Sequence, residues 1–339
     1  MRTTYVVPDL AEKDVVRLDA AQDALLAPVS GPDRRRSLPK EYFARKPRRF
    51  TLKFLTAVVL IAASWTAIAL SVNWAVTVAA MLVAGAMFAH LVELQHECLH
   101  EHAYRSRRLN RLAGFVCGVF MLNSFWHYKH DHLRHHAFLG TAQNREFFNY
   151  RFKHLDSPWG FLVALFHPGR YLDVARDVGR AWLWRPIPTV PRDLDRHRIQ
   201  AEYRALSLLL VGTCAVSVAT GSWFVVLAWV VPALLVAEPA HFLIEMPEHF
   251  GLNTQSDPNV LSNTRTIKAS RLAQWYTNYN NLHTAHHYHQ GVPMAQAVAL
   301  HALIADRVVP VESSYWSFYR KVATGRIRYQ LVAETCMTR

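Results

Sequence analysis

Two charge-free runs stand almost back to back in this chain, and they constrain its fold more than any other feature. Phe54–Val72 is 19 residues without a charged side chain, and after Asn73 the run Trp74–Val92 adds 19 more. Each is close to the ~20 residues a helix needs to cross the hydrocarbon core of a bilayer. Inside lipid the backbone must satisfy its own hydrogen bonds, which restricts such runs to helices. The near absence of a link predicts a helical hairpin. A buried hairpin of a water-soluble protein is the competing reading, and two adjacent runs of this length disfavour it.

Ala205–Ala237 is again free of charge, with Gly221-Ser222 near its middle. This predicts a second hairpin turned at Gly221-Ser222. Its halves are short, and Pro232 should kink the second. Extension through Phe242 to Ile244 restores the length and brings Glu238 near the interface. Leu112–Trp126 and Trp159–Phe166 are apolar but too short to span, and they read as re-entrant or interfacial segments. The expected architecture is an all-α integral membrane protein, with four transmembrane helices in two hairpins and a cytoplasmic helical cap.

Charge supplies the orientation. Arg34 to Arg49 holds eight Lys/Arg against one acid, Glu41. Directly before an apolar run, this reads as a juxtamembrane anchor on the cytoplasmic side. The hairpin turns carry no Lys or Arg, as expected on the far side. Four crossings then return the chain to the cytoplasm after Val92 and again near Ile244. The net charge of +13 points to an anionic partner. Because the basic residues flank apolar segments, lipid or an acidic protein fits and nucleic acid does not. Cys98, Cys117, Cys214 and Cys336 form no Cys-x-x-Cys, which argues against a zinc ribbon, an iron–sulfur cluster or a disulfide framework. Residues 1–50 contain no apolar stretch of signal-peptide length, so no cleaved signal is expected.

Eight histidines fall into three short clusters: His96 and His100; His132, His135 and His136; His283, His286 and His287. Spacings of i,i+4 or i,i+3,i+4 place each cluster on one helix face. Three such faces turned toward each other hold more nitrogen donors than one ion takes, which points to a two-metal centre. The topology puts all three on one side of the membrane. Neutral imidazole suits Fe, Zn, Cu and Ni alike. The first cluster also reads His96-Glu97-x-x-His100, the motif of zinc metalloproteases, with Glu97 as general base. An intramembrane zinc metalloprotease is therefore the rival from another class. It leaves the other two clusters unexplained, and His96 lies past the apolar run rather than within it.

The three boxes resemble those of the membrane-bound fatty acid desaturase and hydroxylase superfamily, His-x3/4-His followed by two copies of His-x2/3-His-His. The resemblance covers roughly residues 50–305, and the paired His-x2-His-His boxes are its most specific part. It implies two non-haem irons held almost wholly by histidine, with O2 as co-substrate and hydrogen abstraction from an unactivated carbon. The implied division is a cytoplasmic tail over 1–50, a transmembrane and di-iron domain over 51–310, and a C-terminal cytoplasmic tail over 311–339. Members add a ninth histidine between the second and third boxes. His249, in Pro247-Glu-His-Phe-Gly251, is similar to the Glu-His-Tyr-Gly element of the alkane hydroxylase branch, with Phe250 in place of Tyr. His241 is its competitor. Asn280 is a candidate to fill the coordination sphere or to cap the helix that follows. Glu93 and Glu97 are candidates to orient a ligand, and Arg265 either meets an anionic head group or caps a loop.

Reductive O2 activation needs electrons, yet the chain has no flavin fingerprint, cysteine cluster or haem motif. An external donor of ferredoxin, rubredoxin or cytochrome b5 type is implied, with Arg105, Arg107, Arg108, Arg111, Lys129 and Arg134 as a docking surface. A lipid-like acyl substrate would enter a dry cavity under the metals. Desaturation leads, because most of the superfamily does it; hydroxylation of an alkyl chain is the alternative. The expected location is the bacterial plasma membrane, with the metal site on the cytoplasmic face.

Overall fold

The computed structural model describes residues 38–148, 150, 155, 157–190 and 193–329. The polar segment 1–33, the first residues of the basic run (34–37) and the terminal segment 330–339 with Cys336 lie outside the described residues.

Helix α1 (Pro47–Leu70) starts with proline in its first turn, where no intrahelical N–H is required. Phe50, Ala57, Ile61, Ser64 and Ile68 form its buried stripe. Leu52, Leu55, Val58 and Val59 face outward, as on a lipid-facing surface. The helix ends at Leu70, and Ser71–Asn73 link it to α2 (Trp74–Leu99), which packs along it. Asn73 caps α2 by accepting from the Ala75 N–H at 2.8 Å. From Phe88 to Leu99 every side chain of α2 is buried. This helix is the central post of the molecule, and it carries the first histidine box at its C-terminal end.

The apolar segment Leu112–Trp126 does not run straight. Helix α3 (Arg107–Gly118) packs back against α2. One 3-10 turn follows, then Leu122 in the left-handed region, and Ser124 caps α4 (Phe125–Phe138). A short α5 (Pro158–Phe166) and α6 (Pro168–Trp182) meet at His167, and α6 packs on α7 (Asp193–Ala219). The last long helical stretch runs from Val226 to His249. Two π-helical turns, Val226–Val230 and Ala233–Ala237, flank Pro232, and α8 (Glu238–His249) completes it. The ring of Pro232 cannot donate to the ladder, and the wide turns absorb that defect. Here α2 and the last stretch touch closely. A Cβ on Gly85 would collide with Val236 and lie 2.7 Å from the Pro232 carbonyl.

Lys40–Leu70, Trp74–Leu99, Arg196–Ala219 and Val226–His249 are long and apolar enough to cross a membrane. After them come α9 (Val260–Asn263), α10 (Arg271–Tyr276), α11 (His283–Tyr288), α12 (Ala297–Ile304) and α13 (Tyr315–Ala323). Strand β1 (Thr266–Ile267) pairs in parallel with β2 (Val311–Glu312), and Thr266 also bridges Leu282 just before α11. Phe318 of α13 is fully buried beside Phe250, at ring centroids 6.4 Å apart. The C-terminal elements thus brace the segment that presents the third box.

Candidate metal centre

Nine histidines gather in two adjoining groups. His96, His100, His132, His136 and His286 form one; His135, His249, His283 and His287 form the other. Within each group the donor nitrogens all lie within 4.8 Å of one another. Helix periodicity explains the partition. On α4, His132 and His136 are a full turn apart and serve the first group, while His135, rotated by one residue, serves the second. On α11, His286 turns to the first group, and His283 and His287 to the second. The end of α2 supplies His96 and His100, and the last residue of α8 is His249. The groups touch where the His136 and His287 rings stack at 4.2 Å.

The nitrogens are too crowded to satisfy one another. Nε2 of His132 is 2.9 Å from that of His96, 2.9 Å from that of His100 and 3.0 Å from that of His136. A neutral imidazole nitrogen carries one proton or one lone pair, so at most one of these contacts per proton is a hydrogen bond. In the second group the tautomers are set from outside. His249 Nδ1 donates to the Asn263 carbonyl at 3.0 Å, His283 Nδ1 to Asn280 Oδ1 at 3.0 Å, and His135 Nδ1 to Asn144 Oδ1 at 2.9 Å. That leaves three Nε2 lone pairs pointing at each other. Burial, reinforced by neighbouring imidazoles, pushes His100, His132, His136, His283, His286 and His287 well below the usual histidine range. Neutral rings with converging lone pairs fit a cation in each group.

The acids around them fit the same conclusion. A cavity of about 20 Å³ adjoins both groups, and Glu146, Glu245 and Glu248 line it. Glu248 Oε2 is 3.2 Å from His283 Nε2. Burial drives Glu146 above the ordinary carboxylate range. Buried carboxylates crowded together are costly unless positive charge is near. This space holds a water or a diatomic molecule rather than a lipid tail. The dry cavity under the metals, expected to admit a lipid-like acyl substrate, is not among the described cavities bordering the centre.

The remaining candidates divide. Asn280 bonds His283 and donates to Glu248. Glu97 turns away from the histidines: its Oε2 accepts from Asn278 Nδ2 at 2.8 Å, and Asn278 Oδ1 accepts from Lys53 at 2.8 Å. A protease base would face water on the metal, so this orientation removes the zinc protease reading. Glu93 Oε1 lies 3.8 Å from His241 Nε2. His241 bonds Tyr150 Oη at 3.0 Å, sits 3.3 Å from Glu245, and belongs to neither histidine group. Arg265 meets no head group: it is buried, it donates to the Pro247 carbonyl and, at 2.9 Å, to that of Phe250, and it lies over Phe318. It ties down the end of α8. Lys129 and Arg134 of the basic surface are also buried, with Lys129 paired to Glu101 at 3.1 Å and Arg134 over Phe138.

Asn144, Glu146, Glu245 and Glu248 were not singled out by sequence as partners of the centre. For Glu245 a signal existed, since it is four residues from both His241 and His249 and shares their helix face. Asn144 lies in an irregular loop with no periodicity to mark it.

A model of the fatty acid desaturase family matches residues 72–319, which include all nine histidines. The chain is similar to a fatty acid desaturase of Bacillus subtilis (strain 168), at 29% identity over 23% of this chain and 22% of that protein. It is 25% identical to dihydrorhizobitoxine desaturase of Bradyrhizobium elkanii over 68% of each chain. It is 24% identical to acyl-lipid (9-3)-desaturase of Physcomitrium patens over 76% of this chain and 53% of that protein. The matched segment thus spans about a fifth of the first of these relatives, two thirds of the second and half of the third. With its histidine groups, its apolar spans and a family match over most of its length, the chain belongs to the fatty acid desaturase family of oxidoreductases.

Proposed function

We propose that this protein is an O2-dependent, di-iron membrane oxidoreductase that introduces a double bond into a fatty acyl or similar lipid-like chain. The observation that carries this reading is the convergence of five and four imidazoles in two adjoining groups, all buried except the half-buried His100. His96, His100, His132, His136 and His286 would hold one iron; His135, His249, His283 and His287 would hold the other. Iron in both positions supplies reductive activation of O2. The chain's own residues do the rest. Asn144, Asn263 and Asn280 fix the ring orientations, and Glu146, Glu245 and Glu248 offset the added charge. The aromatic walls Tyr128 and Phe147 keep bulk water from the small cavity.

The proposed topology is two hairpins with a cytoplasmic helical cap, in a bacterial plasma membrane. The basic run leading into α1 supports that orientation, because it docks on the histidine-bearing end: Arg45 donates to the Glu101 carbonyl and Arg49, in the first turn of α1, to that of Ala295. The division into 1–50, 51–310 and 311–339 is retained as part of this reading, with α13 docked on the middle part. Electrons come from a separate carrier of ferredoxin, rubredoxin or cytochrome b5 type. Exposed Arg105, Arg107 and Arg108 offer it a basic surface. Hydroxylation is the second outcome of the same centre, favoured by the His249-Phe250 element.

The test is lipid mass spectrometry of cells with and without the protein, alongside iron counting on the purified chain. A product lighter by ~2 Da supports desaturation, and one heavier by ~16 Da supports hydroxylation. Iron-loaded protein with a competent donor and no modified lipid would remove the reading.

A further inference from the structure

Three glutamates line the small cavity at the centre, and they differ in what they face. Glu146 Oε1 lies 3.9 Å from His135 Nδ1, the nitrogen already given to Asn144. Glu245 Oε2 is 3.3 Å from His241, which belongs to neither histidine group. Glu248 instead meets a nitrogen turned inward: its Oε2 is 3.2 Å from His283 Nε2.

That contact joins two acceptors. A carboxylate only accepts, so the Asn280 amide turns its Nδ2 to Glu248 Oε1. Asn280 Oδ1 is left for His283 Nδ1, 3.0 Å away, and this nitrogen must therefore carry the ring proton. His283 Nε2 then presents a lone pair to Glu248 Oε2. Buried at this distance, the two repel unless something positive lies between them. One amide thus aims a ring and a carboxylate at the same point. The backbone steadies the arrangement from behind, because the Glu248 carbonyl accepts from the Arg265 N–H at 2.9 Å.

The spacing is that of neighbouring ligands. Metal–imidazole bonds of ~2.1 Å put donors at right angles about 3 Å apart. In the second group the Nε2 atoms of His283 and His249 are 3.0 Å apart, those of His249 and His135 3.1 Å, and those of His135 and His287 3.2 Å. Glu248 continues this series on the His283 side. Its oxygen stands at the edge, outside the four nitrogens that lie within 4.8 Å of one another. Rotation about the soft terminal torsion of the side chain brings it inward. The count of donors points the same way, with five imidazoles in the first group and four in the second.

We propose that Glu248 is the fifth donor of the second group and binds its metal through Oε2. This inference rests on the two-iron reading and makes the two positions chemically unequal. One is ringed by neutral nitrogens alone, the other by nitrogens and an anionic oxygen. Coulomb attraction to that oxygen favours the more highly charged state of its metal, so the second position is the more readily ferric of the two.

The test uses the full-length chain in detergent, freed of metal and titrated with ferrous iron in the absence of oxygen. Glu248→Gln keeps the size of the side chain and still accepts from Asn280, but it offers His283 an N–H in place of a lone pair. It should weaken binding at the second group by at least ~100-fold, beyond the usual effect of losing a partner of a ligating histidine. The Mössbauer signal that disappears should be the one lost in His249→Ala. The signal of the first group should persist at full strength, which shows that the variant is folded. Glu146→Gln and Glu245→Gln remove equal charge from the same cavity and should each cost less than about a tenth as much.

Unchanged affinity in Glu248→Gln overturns the inference and gives the gap to a carboxyl proton, which the amide N–H replaces. Equal losses in all three glutamine variants overturn it too, since summed charge alone would then matter. Two irons, oxidised lipid and no dependence on Glu248 sink this inference alone. Two irons, the second dependent on Glu248, with no lipid oxidised, sink the proposed function alone. A chain that binds no metal sinks both.

Discussion

The Nδ1–H of His249 points at the backbone carbonyl of Asn263, 3.0 Å away, and this one bond turns the Nε2 lone pair of the ring toward His135 and His283. A carbonyl only accepts, so the tautomer admits no choice. Side-chain amides do the same for His135 and His283.

The two histidine groups should therefore load separately. His249→Ala should remove about half of the bound iron, because three imidazoles of its group remain while the other five are untouched. His96→Ala should remove the complementary half. Iron counting and Mössbauer spectra of the two variants check this; equal loss of all iron from both would show a single interdependent site.

Replacing the amides tests the tautomer argument more gently. Asn144→Ala or Asn280→Ala should weaken metal affinity by about 10–100-fold, the usual effect of losing a partner of a ligating histidine. Competition against a chelator reads this directly. Unchanged affinity would mean the rings are held by packing alone.

Glu97→Gln should keep its iron and most of its activity, since the carboxylate faces Asn278 and Lys53 rather than the histidines. A glutamine still accepts from Asn278. The measurement is iron content together with turnover by mass spectrometry. Peptide cleavage that depends on Glu97 would reverse the reading.

Metal-free protein should lose stability in mild acid. The folded-state affinities of His100, His132, His136, His283, His286 and His287 for protons lie well below the ordinary imidazole value of ~6.5. The unfolded chain then binds more protons, so this stabilising contribution is fully present above ~6.5 and declines as pH falls below it. Thermal melts of chelator-treated protein between pH 8 and pH 5, at intervals of about half a unit, should show Tm falling on the acid side. A flat profile would mean the rings are protonated or exposed in the fold.

Gly85 tests the contact between α2 and the last helical stretch. Gly85→Val should destabilise by about 1–3 kcal/mol through overpacking against Val236 and the Pro232 carbonyl. A Tm equal to that of the parent protein would show that the wide π-helical turns yield.

Local physics made much of this protein readable before any coordinates. The lengths of Phe54–Val72 and Trp74–Val92 are set by bilayer thickness, and the i,i+3,i+4 spacing of each histidine box is set by the helix itself. Neither needs a distant partner. The tertiary structure alone decided how the boxes divide. His135 leaves His132 and His136 to join His249, 114 residues away in sequence, because a one-residue rotation on α4 faces it to another element. It also decided that Asn144 and Asn263 would orient rings, that Glu146, Glu245 and Glu248 would line one cavity together, and that Arg265 would tie down a helix end. Side chains of these types are usually solvated, and only long-range packing reveals which ones the fold has drawn inside.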